Sequence, residues 1–103
     1  MAKASRCRIW HLKPNIDPAM LFIGYEDLLT RFGGIDSSKY TSVFDGFVQT
    51  SDLESIYTIF RENFPVGYSG RKIGLGDVVE LNGKFHYCDR VGFRDITREW
   101  NKE

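Results

Sequence analysis

The chain has 103 residues, of which 42% are hydrophobic and 15% aromatic, and its formal net charge is zero. That length is one domain's worth, and that apolar content supplies a packed core, which excludes a disordered chain. Neutrality argues against a general nucleic-acid binder, whose domain is strongly basic, and no apolar run reaches the roughly 20 residues of a membrane helix.

Residues 1–103 read as a single domain, and the polar start, Met1 to Arg8, lacks the apolar core of a signal peptide. The expected location is therefore the cytoplasm. Arg6 to Leu12 reads as a strand, with Cys7, Ile9 and His11 on one face and Arg8, Trp10 and Leu12 on the other. Lys13-Pro14-Asn15 breaks it, because proline cannot donate to a ladder. Asp17-Pro18 looks like a helix start, with Gly24 interrupting the run. Two readings stay open: a helix from Pro18 to Phe32, or an extended Met20–Ile23 followed by a short helix from Tyr25. Tyr25, Leu28, Leu29 and Phe32 form one helical stripe in either case, and Gly33-Gly34 ends it.

Tyr40 to Val48 favours strand, with Asp45-Gly46 as a turn or bulge signal. Ser51-Asp52-Leu53-Glu54 has the pattern of a capping box, Ser51 accepting from the backbone at Glu54. Leu53, Ile56, Tyr57, Phe60 and Phe64 then make the clearest amphipathic stripe, stopped by Pro65. Asn82-Gly83 between Val78–Leu81 and Lys84–Cys88 is a hairpin signal, since both turn residues accept positive φ. It sets Val79 opposite His86 and Val78 opposite Tyr87, and both hairpin faces are apolar enough to be covered. Gly92-Phe93 begins a last short strand or turn, and Ile96–Trp100 a helical turn with Trp100 over an edge. The predicted fold is α+β: an antiparallel sheet of four or five strands with two helices packed on it, Asp52–Phe64 and a shorter N-terminal one.

Chemistry-bearing patterns are sparse. Cys7 and Cys88 lie far apart and form no Cys-x-x-Cys pair, so they read as reduced, small apolar residues. Cys7, His11, His86 and Cys88 would make a metal site only if the first strand neighboured the hairpin, and no ligand spacing supports it; no metal and no cofactor is expected. Asp77 after Gly76 reads as turn chemistry, its carboxylate capping backbone amides, and Asp89 flanks the other hairpin end. Gly70-x-x-x-Gly74-x-Gly76 lacks the Gly-Lys-Ser/Thr of a phosphate loop and precedes a strand. With no nucleophile–base pair, a non-enzymatic protein is expected.

Charge is unevenly spread. Residues 1–13 hold Lys3, Arg6, Arg8 and Lys13 and no acid, whereas residues 14–62 hold eight acids against three bases. Asp36, Asp45, Asp52, Glu54 and Glu62 are therefore candidates for an acidic binding face. Arg71, Lys72, Arg90, Arg94 and Arg98 form the alternative, a basic patch suited to phosphates or acidic protein faces. Ordinary solubilising charge explains either set equally well.

From Tyr40 to Phe93 the chain resembles the YodL-like domain family, found in mobile elements of Gram-positive and gut bacteria. The resemblance is carried by Tyr40-x-x-Val43-Phe44-Asp45-Gly46, by Leu53-Glu54-x-Ile56-Tyr57-x-x-Phe60 and Pro65, by Gly70-x-x-Ile73-x-Leu75-x-Asp77-Val78-Val79, and by Tyr87-x-Asp89-x-x-Gly92-Phe93. Arg8-Ile9-Trp10-x-Leu12-Lys13 is similar to the lead-in of many members. Where the family tends to carry serines this chain has Lys72, Gly74 and Gly76, so no serine-dependent role there is carried over. The resemblance implies a phage-borne or conjugative setting and no agreed activity. Within that setting the chain also looks like the small inhibitors of type II CRISPR systems. The implied partner is a host protein, an RNA-guided effector nuclease, with competition against guide RNA or DNA; the alternative is a nucleic-acid-binding module of a mobile element.

Overall fold

A computed structural model describes residues 4–66, 68 and 70–100. Five strands form one antiparallel sheet: β1 (Ser5–Leu12), β2 (Tyr40–Val48), β3 (Val78–Leu81), β4 (Lys84–Cys88) and β5 (Phe93–Asp95), in the order β2-β1-β3-β4-β5. Three α-helices accompany it: α1 (Tyr25–Phe32), α2 (Leu53–Glu62) and the single turn α3 (Thr97–Trp100). The α+β expectation holds, with five strands and one more helix than expected.

The predicted hairpin is present with its expected register: Val78 pairs with Tyr87 and Val79 with His86. Asn82 and Gly83 adopt φ of 51° and 85°, the left-handed pair that a two-residue turn demands. Alternation along β1 and the hairpin sends apolar side chains to both faces, and two cores result. One holds Tyr25 and Leu28 of α1 with Tyr40, Val78, Phe85, Tyr87, Ile96 and Trp100. The other holds Ile56 and Phe60 of α2 with Cys7, Ile9, Ile73, Val79 and Cys88. Full burial of side chains such as Ile9, Ile56 or Phe60 is worth about 1.5–3 kcal/mol each.

Between β1 and α1 the short helix from Tyr25 is present, but Met20–Ile23 is not the extended run of that reading: Met20 ends a 3-10 turn and Leu21-Phe22 turn, with Phe22 at φ 57°. Pro18–Met20 makes one 3-10 turn, capped by the Asp17 carboxylate on the Ala19 amide at 2.9 Å. Gly24 then serves as N-cap of α1, and Gly33, at φ 81°, ends it as expected.

Four details differ from the sequence reading. Asp45-Gly46 is neither turn nor bulge; β2 runs straight through it, and the irregularity lies where Val43 is left unpaired between Ser42 and Phe44. Gly46 instead makes room for the Phe44 ring, which would lie 2.8 Å from a Cβ there. The N-cap of α2 is Asp52, not Ser51: its carboxylate accepts from the Ser55 amide at 3.2 Å and the Ser55 hydroxyl at 2.8 Å. Helix α2 stops at Glu62, leaving Phe64 half exposed beyond it. Trp100 covers a sheet face rather than an edge, stacked on Phe85 at 4.8 Å, tilted against Trp10 and edge-on to Tyr40. Lys3 lies outside the described residues.

Candidate functional site

The densest polar constellation lies where β1 ends and β3 begins. The 70–77 segment turns into β3 through Gly76, whose φ of 96° only glycine adopts readily. The Gly76 amide donates to the Cys88 carbonyl at 2.9 Å and the Cys88 amide to the Asp77 carbonyl at 2.8 Å. Asp77 is thereby fixed with no exposed surface. Its carboxylate accepts from the Gly74 amide at 2.7 Å, the turn role expected of it. It also takes a two-pronged contact from the Arg71 guanidinium, at 2.9 and 2.6 Å.

His11 of β1 faces the same place. Its Nε2 is 3.9 Å from the Asp77 carboxylate and 3.3 Å from the Tyr68 hydroxyl. That hydroxyl also donates to the Arg71 carbonyl. Burial holds the His11 imidazole below its usual value, against the pull of Asp77. Burial also raises the Asp77 carboxyl, with Arg71, His11 and the Gly74 amide opposing the rise. The Tyr68 hydroxyl is pushed up to about 12 by burial.

Tyrosine, histidine and aspartate in this order have the look of a proton relay, but the geometry is that of a clamp. The His11–Asp77 gap exceeds hydrogen-bond distance, and Arg71 takes both carboxylate oxygens. What the group does is tie the 68–77 segment to the sheet. Sequence reasoning missed it as a unit, because Tyr68, Arg71 and Asp77 share no periodicity and His11 comes from the far end of the chain.

The two buried cysteines sit in the α2-side core. Burial, with the nearby Glu80 carboxylate, pushes the Cys7 thiol up to about 12, and burial raises Cys88 as well. β3 lies between β1 and β4, so Cys7 and His11 do not adjoin His86 and Cys88 in the ladder. Among the described residues no cluster of three or more metal-ligating side chains occurs.

The five acidic candidates are in different states. Asp36 accepts from the Ser38 amide at 3.1 Å and the Ser38 hydroxyl at 2.6 Å. Asp45 pairs with Arg6 at 2.8 Å and Arg8 at 3.4 Å on β1. Asp52 caps α2. Glu54 and Glu62 are exposed on α2, and among the described residues neither side chain has an ion-pair partner.

The basic candidates are mostly engaged. Arg71 holds Asp77, whereas Arg90 reaches Asp27 at 3.5 Å and Arg94 reaches Glu26 at 3.1 Å, both on α1. Arg94 also lies over the Tyr25 ring at 4.6 Å. Lys72 and Arg98 stay exposed. Glu54 and Arg90 line one groove of about 160 Å3, with Tyr57, Asp89 and Phe93.

One exposed feature had no sequence signal. Phe22 adopts φ of 57° and is 60% exposed. A bulky residue in that conformation is strained. It is held there by neighbours: the Tyr87 hydroxyl donates to the Ile23 carbonyl at 2.8 Å, and the Tyr25 amide to Asp89 at 3.1 Å.

A family model for the YodL-like domain matches residues 6–98. The chain belongs to the YodL-like domain family. The match takes in nearly all of β1, the whole of α1 and the first half of α3, beyond the Tyr40–Phe93 stretch of the main motifs. The clamp residues His11, Tyr68, Arg71 and Asp77 all fall within the matched region. No curated protein and no solved structure matches the chain. No helix among the described residues is long and apolar enough to cross a membrane.

Proposed function

We propose that this YodL-like protein is a non-enzymatic accessory protein of a bacterial mobile element that binds and inhibits a host macromolecule in the cytoplasm. The specific target proposed is a type II RNA-guided nuclease. Such an effector holds its guide and target in positively charged channels. Carboxylates presented by a rigid element can enter those channels and compete with phosphates.

The observation that carries this reading is that the two candidate acids left with neither an ion pair nor a capping role among the described residues share one helix, whereas the two candidate bases left without an ion pair, Lys72 and Arg98, lie on separate segments. Glu54 and Glu62 stand exposed on α2 without ion-pair partners among the described residues. Arg71, Arg90 and Arg94, the core of the basic alternative, are each matched to a carboxylate of the same chain. A phosphate-gripping module would have to break those pairs first. The chemistry of the buried groups points the same way: both thiols are held protonated, and His11 is enclosed in a structural clamp.

The test is capture of purified type II effectors on the immobilised protein, after nuclease digestion of any carried nucleic acid. Retention of an effector, lost on combined Glu54→Lys and Glu62→Lys, is the expected result. Retention only before digestion would favour nucleic-acid binding instead, and no retention of any effector would remove the target.

A further inference from the structure

The two edges of the sheet are built differently. β5 is three residues long, carries Arg94 and Asp95, and leads directly into α3. Shortness, charge and cover are how sheets discourage pairing at an edge. β2, at the other edge, is nine residues long and contains no lysine and no proline. Its one charged residue, Asp45, is neutralised by Arg6 and Arg8 of β1. Among the described residues no main-chain hydrogen bond joins the outer side of β2 to another segment. Phe47 on this strand is 67% exposed.

The direction of each peptide group on β2 follows from β1. Arg6 exchanges bonds with Asn82 beyond β3, its amide donating to the Asn82 side chain and its carbonyl accepting from the Asn82 amide. Alternation then turns the peptide groups of Ser5, Cys7 and Ile9 toward β2. Their partners Val48, Gly46 and Phe44 point inward, so the amides and carbonyls of Asp45 and Phe47 point out of the sheet.

We propose that this edge pairs antiparallel with the same edge of a second copy, about a two-fold axis at Gly46. In that register the outward peptide groups of Asp45 meet those of the copy's Phe47, and the reverse. Gly46 then faces Gly46 in a non-hydrogen-bonded pair, where backbones approach most closely. Phe44 faces Val48 on the side of the sheet that already carries the α2 core. Aromatic and β-branched pairs of this kind stabilise antiparallel strands. Like charges are not opposed, because Asp45 meets Phe47 and not a second Asp45. Such a contact uses the same patch on both copies and closes as a dimer. It leaves Glu54 and Glu62 of α2 outside the pairing strand, so it stands independently of the inhibitor reading.

The experiment is sedimentation equilibrium over a wide concentration range, with amide hydrogen exchange read at both ends of it. The expected result is a dimer that dissociates on dilution. The Asp45 and Phe47 amides should gain protection on concentration, while the Gly46 amide, bonded to β1, stays protected throughout. Phe47→Glu, which sets a second acid opposite Asp45 of the other copy, should weaken association at least tenfold without touching either core. Phe47→Pro should abolish it, since only an outward amide is removed. A chain that stays monomeric at every concentration would overturn the proposal. So would a dimer that survives both variants, or one that leaves Asp45 and Phe47 exchange unchanged.

Discussion

Asp52 and Ser51 show how much one residue's shift in a cap can matter. Both satisfy the N-cap preference, but only the Asp52 carboxylate reaches the first-turn amide, at Ser55. Asp52→Ala is therefore expected to cost about 1 kcal/mol, and Ser51→Ala nearly nothing; urea titration of the two variants separates them. Histidine titration gives a second residue-scale expectation. His11 and His86 are both held below their ordinary value by burial, so the unfolded chain binds more protons than the folded one as pH falls. Their contribution is fully present above about pH 6.5, the unfolded value, and is lost as pH drops through the lowered folded values. Thermal melts at pH 7.5 and 5.5 should show the lower melting temperature at 5.5, with a smaller drop in His11→Asn. An unchanged drop in that variant would remove His11 from the account.

At the scale of elements, α2 offers the clearest contrast. Its stripe was legible from spacing alone, yet the members of the stripe are not equivalent. Phe60 is fully buried between Phe44 and Tyr68, at 5.1 Å from each, while Phe64 is 47% exposed past the helix end. Phe60→Ala should cost about 3–5 kcal/mol, and Phe64→Ala well under half of that, by denaturant midpoint. The hairpin was equally legible, because Asn82-Gly83 admits few other conformations. The β2 irregularity was not: Asp45-Gly46 carries the local signal, but the unpaired residue is Val43, set by pairing with β1 thirty residues earlier in the chain. The clamp was unreadable for the same reason. Arg71 looked like surface charge until Asp77 was seen buried beneath it, and nothing local says that His11 and Tyr68 meet there. Local turn and cap chemistry could be read; contacts made across the sheet could not.

For the whole molecule, the sheet order decides which surfaces remain for binding. β1 lies inside the sheet with β2 on one side and β3 on the other, so the basic N-terminal strand spends Arg6 and Arg8 on Asp45 and Glu80 rather than on a partner. Both sheet faces are covered, one by α1 and α3, the other by α2 and the segment around Ile73. The solvent side of α2 with its two acids and the β2 edge are among the surfaces that remain outward. Under the proposed function the α2 acids act on a nuclease. The most direct measurement is target-DNA cleavage by a panel of type II effectors, with the protein added before or after guide RNA. Protection that is stronger when the protein precedes the guide, and that is lost with Glu54→Lys and Glu62→Lys, is the predicted result. Full cleavage in either order across the panel would contradict it.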